Sequence, residues 1–288
     1  MSSLLGRLAD RCDFPPEGES VTCAVSGGAD SLALLALAVG AGCEVTAIHV
    51  DHGLRPESRL DADVVKEAAK RFGASFVAVR VEVGAGPNLE ARARAARYGA
   101  LGSAALTGHT ADDLAETVLL NMIRGAGLDG LTGFDPARRP IRRLRRSETE
   151  SLCHELGLVP IHDPSNDSTV HRRNRVRHEL LPLLDDIAQR DVALVLARQA
   201  DHLAADAALL DALVGPLDPT DAHALVSAPE PLARRAIRAW LRSGSEQHPP
   251  DAAAVARVLA VAAGDAVACE VGGGRSVRRS KGRLTLES

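Results

Sequence analysis

The chain has 288 residues and a net charge of −4; 45% of the residues are hydrophobic, 25% are charged and only 2% are aromatic. This composition is ordinary for a globular protein, and the length suits one large domain followed by a smaller one. No apolar run is long enough to span a bilayer, no signal sequence is visible, and the five cysteines contain no C-x-x-C pair. We therefore expect a cytoplasmic protein with no membrane partner, no disulfide framework and no zinc or iron–sulfur site.

Strands and helices alternate through the first part of the chain. After a short helix around Leu4, Leu5 and Leu8, the residue pattern predicts strands at residues 20–26, 43–50, 75–83 and 104–107. It predicts helices at residues 30–41, 61–72, 88–101 and 110–124. Such alternation is typical of a doubly wound α/β fold, a mainly parallel sheet with helices on both faces. Ligands of such sheets bind outside the carboxyl ends of the strands.

The rest of the chain reads differently. Residues 125–133 are rich in glycine and predict a flexible loop, and a helix is expected at residues 147–156. From residue 186 onward, segments rich in Ala and Leu predict helices at 192–214, 231–242 and 251–263, and residues 266–286 predict short strands or a hairpin. We therefore predict an α/β domain at residues 1–185 and a small, mostly helical domain ending in short strands at 186–288.

The six residues after the first predicted strand form a glycine-rich turn into a helix. Glycine lets a ligand approach the main chain closely, and the free amides and dipole at a helix start favour an anion. Asp30 is an unusual neighbour for a phosphate unless a divalent cation lies between them. The turn therefore predicts a Mg²⁺-nucleotide site, or else an ordinary turn in which Asp30 caps the helix. The residues are Ser26, Gly27, Gly28, Ala29, Asp30 and Ser31.

Two further strand ends carry polar residues. His49 and Asp51 share one face of the second strand and His52 takes the other, which argues against a three-ligand metal site. A loop that shapes a nucleotide pocket is favoured, with a plain polar strand end as the alternative. After the fourth strand, Asp112 and Glu116 share one helix face and repel each other unless a cation lies between them. The candidates for that cation are Mg²⁺ and a substrate ammonium, and the alternative is ordinary acidic decoration of a helix start. His109 and Asp113 belong to the same stretch.

Arginines form two groups. In the predicted helix 88–101, Arg94 and Arg97 are three residues apart and can meet one anionic ligand, although a solvated charged face explains them equally well. Residues 138–177 contain ten arginines and five acidic residues, a local balance of +5. Such a basic island predicts contacts with an RNA backbone, with a solvated surface as the alternative. The RNA-binding candidates are Arg142, Arg143, Arg145, Arg173, Arg175 and Arg177.

Taken together, these stretches resemble a known family. The S-G-G-A-D-S loop matches the S-G-G-x-D-S loop of the N-type ATP pyrophosphatases, which split ATP into AMP and pyrophosphate while they adenylate a substrate. Further stretches make the chain similar to the tRNA(Ile)-lysidine synthetases over about residues 20–185. They lie at residues 49–55, 88–98, 107–117, 124–133, 163–166 and 173–177.

The resemblance implies a two-step reaction that uses ATP and Mg²⁺. The wobble cytidine of an isoleucine tRNA with a CAU anticodon is adenylated on its 2-oxo oxygen, and the side-chain amine of free L-lysine then displaces AMP to give lysidine. Nucleotide contacts are expected from residues 26–31 together with His49, Asp51 and Arg97. Asp30 and Asp112 are the expected metal ligands. The expected catalytic residues are Asp30, His109, Asp112, Asp113 and Glu116.

The chain departs from the family pattern in two places, and three rival functions remain. Thr110 stands where family members often have a second His, and the segment after residue 185 is shorter than in larger relatives. The nearest rival is a tRNA 2-thiolation enzyme, but its relatives usually carry a C-x-x-C pair that this chain lacks. The others are an amide-forming enzyme acting on a small molecule, for which the basic island would be surplus, and a non-catalytic RNA-binding protein.

Overall fold

The computed structural model of the protein describes residues 3–51, 58–81, 92, 96, 99–162, 171–243 and 250–287. The chain forms two compact units, Met1–Asp201 and His202–Ser288. The division falls within the helix Val192–Val214, so the boundary that we place after residue 185 stays a prediction.

The first unit is built on a four-stranded sheet in which all neighbouring strands are parallel. Its strands are β1 Ser20–Ala24, β2 Glu44–Asp51, β3 Ser75–Arg80 and β4 Leu106–Thr107. Their spatial order is β3-β2-β1-β4, so the chain moves outward from β1 to β3 and returns to the other side of β1. This reversal makes the gap between β1 and β4 the switch point of the sheet, where such folds bind their ligands.

Helices accompany this sheet, and the central one is buried. Residues Leu32, Leu34, Leu35 and Leu37 of α2 are each at most 1% exposed, as expected of a helix that is apolar on every side. Helix α1 packs on the far end of α2, where Leu5 lies against Gly40. The helices of this unit are α1 Leu4–Ala9, α2 Ala29–Gly40, α3 Ser58–Arg71, α4 Ala111–Ile123, α5 Leu128–Leu131, α6 Arg146–Glu155, α7 Arg172–Arg175 and α8 Leu181–Ala188, with a π-helical segment Val176–Leu180 between α7 and α8. Helix α9 Val192–Val214 begins in the first unit and ends in the second.

The second unit has a core of its own. Helices α10 Ala222–Ser227, α11 Glu230–Arg242 and α12 Ala252–Ala263 pack against an antiparallel sheet with the order β5-β6-β7. The core includes Leu225, Ile237, Leu241, Val258 and Val277, each at most 1% exposed. The strands are β5 Ala268–Gly272, β6 Arg275–Ser280 and β7 Arg283–Glu287. No helix among the described residues of the chain has the length and apolarity needed to cross a bilayer.

The fold class expected from the sequence is confirmed, and most element bounds agree within a few residues. The loop predicted at residues 125–133 was wrong in part, because it contains the short helix α5, and Asn121 Nδ2 donates a hydrogen bond of 2.8 Å to Gly130 O. Helix α10 was not predicted. The helix expected at residues 88–101 lies mostly outside the described residues.

Candidate active site

The glycine-rich turn after β1, residues 26–31, is here called the phosphate loop. The hydroxyl group of Ser31 closes this loop. Its Oγ accepts hydrogen bonds of 3.2 Å from the amides of Ser26 and Gly27, and it donates one of 2.8 Å to Gly28 O. Gly27 has φ +94, a backbone conformation that calls for glycine, and a Cβ there would lie 2.2 Å from Ile161 Cδ1, so that side chain would have to move. The loop therefore has a defined shape held by one hydroxyl group.

The phosphate loop leaves donors available at the start of α2. The helix begins after Gly28, and the amides of Gly28, Ala29 and Asp30 donate to no acceptor among the described residues. Three consecutive free amides at a helix start form a site for an anion, because they point outward and the helix dipole adds a positive potential. This geometry supports the anion-binding prediction made from the glycine pattern.

The loop after β4 lies directly against the phosphate loop. A Cβ on Gly108 would be 2.7 Å from Asp30 O and 3.0 Å from Ser31 N, so only glycine allows this approach. Beyond it, His109 Nδ1 lies 2.8 Å from Thr107 Oγ1, and its ring packs 5.3 Å from that of Phe134. The two loops that sequence analysis singled out are therefore in contact at the switch point.

The start of α4 explains the threonine that departs from the family pattern. Thr110 is fully buried and is the N-cap of this helix. Asp113 Oδ2 accepts hydrogen bonds from Thr110 N at 3.0 Å and from Thr110 Oγ1 at 3.2 Å. Asp113 thus completes a capping box, which stabilises the start of the helix. This is the structural role that the alternative interpretation, acidic decoration of a helix start, gives to this stretch.

Asp30 lies between a threonine and an arginine of α6. Its Oδ1 accepts a hydrogen bond from Thr149 Oγ1 at 2.5 Å, and its Oδ2 is 3.5 Å from Arg146 Nη2. Burial raises the pKa of Asp30 from an ordinary 3.8 to about 6, although the Arg146 charge opposes the rise. Asp30 is therefore ionised near neutral pH, and its ionisation lowers the stability of the folded protein.

The three acidic residues of α4 are all engaged by arginines. Asp112 accepts from Arg146 N at 2.8 Å and from Arg145 Nε at 3.1 Å, while Asp113 Oδ1 lies 3.1 Å from Arg146 Nη2 and 3.2 Å from Arg173 Nη2. Burial opposes ionisation of Asp113, but the charges of Arg146, His109 and Arg173 outweigh it, so its pKa is lowered.

Glu116 is the most deeply buried of these acids, with an exposed fraction of 0%. Arg173 Nε donates to its Oε2 at 2.5 Å, and Arg177 Nε donates to its Oε1 at 2.6 Å. Both arginines can reach one carboxylate because they are four residues apart and therefore lie on the same face of a continuous helical segment. Each of the three carboxylates, Asp112, Asp113 and Glu116, is therefore already bound by at least one of four arginines. No two of them are available together to hold a cation in this arrangement.

The other predicted nucleotide residues lie as follows. His49 is buried on β2, and its Nδ1 lies 2.9 Å from Val25 O, so it joins β2 to the residue before the phosphate loop. Asp51 ends β2 at the same edge of the sheet. Arg97 lies outside the described residues. The contacts of the nucleotide with these residues stay a prediction.

The six predicted RNA-binding arginines occupy different environments. Arg142 is buried between Asp13 and Asp201. Arg145, Arg173 and Arg177 are bound to acids of α4, as described above. Arg175 is 62% exposed and pairs within its own helical segment with Glu179, and Arg143 is 51% exposed. Only the last two present most of their side chain to solvent, and the RNA-binding role of all six stays a prediction.

Comparison with known proteins agrees with both units. A model of the PP-loop domain family matches residues 6–184, and a model of the TilS substrate-binding domain matches residues 221–285. The chain is 44% identical to the tRNA(Ile)-lysidine synthase of Nocardia farcinica, with 98% of this chain and 95% of that protein covered. The chain belongs to the tRNA(Ile)-lysidine synthase family. It is also 42% identical to the family member from Rhodococcus jostii, over 94% of this chain and 90% of that protein.

A solved structure shows the same fold at lower identity. The U34-tRNA thiolase NcsA from Methanococcus maripaludis, solved with its [4Fe-4S] cluster, is 18% identical and superposes with a TM-score of 0.57, over 69% of this chain and 78% of that one. At this identity the likeness concerns the fold alone. Within the described part of this family member, no three His, Cys, Asp or Glu residues form a group that could hold a metal ion.

Sequence analysis did not select two residues that the structure brings into the site. Arg146 belongs to the basic island, but nothing in its sequence neighbours distinguishes it from Arg143 or Arg145. Thr149 lies in the middle of a helix of mixed polarity and carries no sequence signal. Both contact Asp30, which is 116 or more residues away in the chain, so only the tertiary structure reveals them.

Proposed function

We propose that this protein ligates free L-lysine to the wobble cytidine of isoleucine tRNA with the CAU anticodon, and that it converts ATP to AMP and pyrophosphate in doing so. The observation that carries the proposal is the phosphate loop with its three free amides at the switch point, within a chain whose two units both match modules of the tRNA(Ile)-lysidine synthase family. Because the substrate is a tRNA, we place the reaction in the cytoplasm.

In the first step the 2-oxo oxygen of the cytidine bonds to the α-phosphorus of ATP. The bond between that phosphorus and the oxygen bridging to the β-phosphate breaks, and its electron pair leaves with pyrophosphate. The free amides of Gly28, Ala29 and Asp30 are placed to hold the phosphate chain without reorganisation, which is how fixed donors lower a barrier of this kind.

Mg²⁺ fits one of its two predicted ligands better than the other. Mg²⁺ is usually bound by one or two carboxylates together with substrate phosphates, and it neutralises charge that develops on them. Asp30 lies at the anion-binding helix start and ionises near neutral pH, which suits this role. Asp112 has hydrogen bonds from Arg145 and from the Arg146 amide, so it would have to release a donor before it could bind a metal.

In the second step the side-chain nitrogen of lysine bonds to C2 of the adenylated cytidine. The lysine ammonium first gives up one proton to become the attacking amine. The bond from C2 to the phosphate-bearing oxygen then breaks, AMP leaves with its electron pair, and the nitrogen loses a second proton, both protons passing to solvent. Asp113 and Glu116 are the carboxylates that we assign to the lysine ammonium before this step, and His109 lies beside them with its ring oriented by Thr107. For lysine to bind there, Arg173 or Arg177 must give up a contact with Glu116.

The decisive experiment supplies labelled L-lysine, ATP, Mg²⁺ and total tRNA to the purified protein. We expect label to enter the tRNA, with one AMP and one pyrophosphate formed for each lysine, and to depend on ATP. Isoleucine tRNA with the CAU anticodon should be the acceptor, and changing the wobble cytidine should abolish incorporation. If folded protein never transfers label to tRNA, the proposed reaction is wrong. Incorporation of labelled sulfur instead would identify the 2-thiolation alternative.

A further inference from the structure

Arg146 occupies a central position that the expected roles leave unexplained. It is the first residue of α6, and its backbone amide donates to Asp112 Oδ2 at 2.8 Å. Its Nη2 lies 3.1 Å from Asp113 Oδ1 and 3.5 Å from Asp30 Oδ2. The guanidinium therefore lies between Asp30 of the phosphate loop and Asp113 of α4.

Three helix starts meet around this guanidinium. Helix α2 begins beside the phosphate loop, and a Cβ on Gly108, two residues before the cap of α4, would touch Asp30 O at 2.7 Å. Helix α4 is joined to the segment before α6 by the hydrogen bond of 2.8 Å from Ala111 N to Leu144 O. Helix α6 is joined to α2 through Thr149 and Asp30. The positive ends of three helices thus lie near one arginine, together with the carboxylates that contact it.

Among the described residues, the guanidinium of Arg146 uses only part of its hydrogen-bonding capacity. Its Nε is buried and has no hydrogen-bond acceptor among the described residues, while both protein contacts of its side chain are made through the single atom Nη2. The guanidinium of an arginine is cationic in proteins at any pH at which they fold. A guanidinium is built to donate two parallel hydrogen bonds to a phosphate, and this one uses only part of that capacity.

We propose that Arg146 is a catalytic residue that contacts the pyrophosphate portion of ATP held at the phosphate loop and stabilises its charge as it leaves. This inference rests on the proposed function and adds a donor from α6 to the amides of α2. In the free protein Asp30 and Asp113 hold the guanidinium beside the loop. If Asp30 held a metal ion that accompanies the nucleotide, Arg146 would keep Asp113 as its anchor and would have its remaining donors available for the phosphates.

The test compares R146K and R146Q with the control R71K. Arg71 is exposed at the last residue of α3, just before β3 begins, and so lies at the opposite edge of the sheet from the phosphate loop. Three quantities are measured on the full-length protein: equilibrium binding of inorganic pyrophosphate with Mg²⁺, the rate of pyrophosphate release from ATP and tRNA without lysine, and KM for lysine. Thermal unfolding and circular dichroism establish that each variant is folded.

We expect R146Q to weaken pyrophosphate binding at least tenfold and to slow pyrophosphate release by about 100-fold, the usual loss for one donor to a developing anion. R146K should fall between R146Q and the unaltered protein, because lysine keeps the charge but lacks the planar fork. R71K should match the unaltered protein. Unchanged pyrophosphate affinity and release in folded R146K and R146Q would overturn the inference.

Two further outcomes distinguish a phosphate contact by Arg146 from a role in positioning Asp113 and from a failure of the proposed function. A rise in KM for lysine with normal pyrophosphate release would show that Arg146 only positions Asp113, and the inference would be wrong. If the unaltered protein forms no lysidine, the proposed function is wrong, whereas pyrophosphate binding by the unaltered protein and its loss in R146Q would still support the phosphate contact.

Discussion

Asp30 is a buried carboxylate whose charge the folded protein tolerates at a cost. Its side chain is 19% exposed, and although Thr149 and Arg146 contact it, burial and the nearby Asp113 and Asp112 raise its pKa to about 6. The folded protein therefore binds this proton more tightly than the unfolded chain does. Stability from this group is present at low pH and is lost as the pH rises through 6. A residue kept under such a penalty points to function rather than to stability.

The loss of stability with rising pH leads to a prediction for Asp30→Asn. A pKa raised by about two units corresponds to about 3 kcal/mol as an upper limit, so in EDTA the variant should gain unfolding free energy at pH 8 and lose that advantage near pH 4. Denaturant unfolding at the two pH values measures the difference, and AMP formation should be abolished in the same variant. Asp63→Asn, an exposed change on α3, should show no pH-dependent gain. A variant destabilised equally at both pH values would contradict this account.

At the scale of elements, the site depends on how closely two strand-to-helix loops approach each other. The turn after β4 passes over the start of α2 with only the hydrogen atoms of Gly108 between them. The atoms that a side chain would meet are the backbone atoms of Asp30 and Ser31, which cannot rotate away as a side chain can. The parallel strand order brings these loops together, and the glycine lets them come into contact.

We therefore expect Gly108→Ala to push the phosphate loop and the start of α4 apart. ATP affinity should fall at least tenfold, about 1.4 kcal/mol, and the thermal midpoint should fall as well. Gly99→Ala is the matched control, because a Cβ on Gly99 meets no atom of the described residues within 4 Å. Equilibrium binding of ATP to the three proteins measures the effect. Equal affinity in Gly108→Ala and the unaltered protein would show that the loops can separate without loss.

At the scale of the whole molecule, the first and the second unit have separate hydrophobic cores. The core around α2 draws only on residues of the first unit, and the core around α11 and α12 draws only on residues of the second. The phosphate loop and all of its described hydrogen-bond partners belong to the first unit. Damage confined to the second core should therefore spare the binding of ATP.

Leu284→Asp tests this separation, since Leu284 is 2% exposed on β7 and a carboxylate there disrupts the second core. We expect lysine incorporation to fall strongly while ATP still raises the thermal midpoint of the first unit. The neighbouring exposed change Thr285→Asp adds the same charge and should leave both folding transitions intact. Loss of ATP binding together with lysine incorporation in Leu284→Asp would show that the two cores are energetically coupled.

The sequence alone determined the parts whose causes are local. Periodicity of apolar residues located β1, β2, α2 and α4 within a few residues, because strand and helix formation depend on neighbours a few positions apart. The glycine and serine pattern at residues 26–31 identified the anion-binding turn for the same reason. The match between whole stretches and a known family supplied the reaction, which no single stretch could have done.

Only the tertiary structure decided what the charged residues do. Along the chain, residues 138–177 form an island with a balance of +5, yet in the fold Arg142, Arg145, Arg146, Arg173 and Arg177 meet acids from other segments of the chain, at Asp13, Asp30, Asp112, Asp113, Glu116, Asp191 and Asp201. A Coulomb interaction depends on distance in space and on burial, neither of which local sequence encodes. For that reason the sequence could name the basic island but could not select Arg146 or reveal the arginines bound to Glu116.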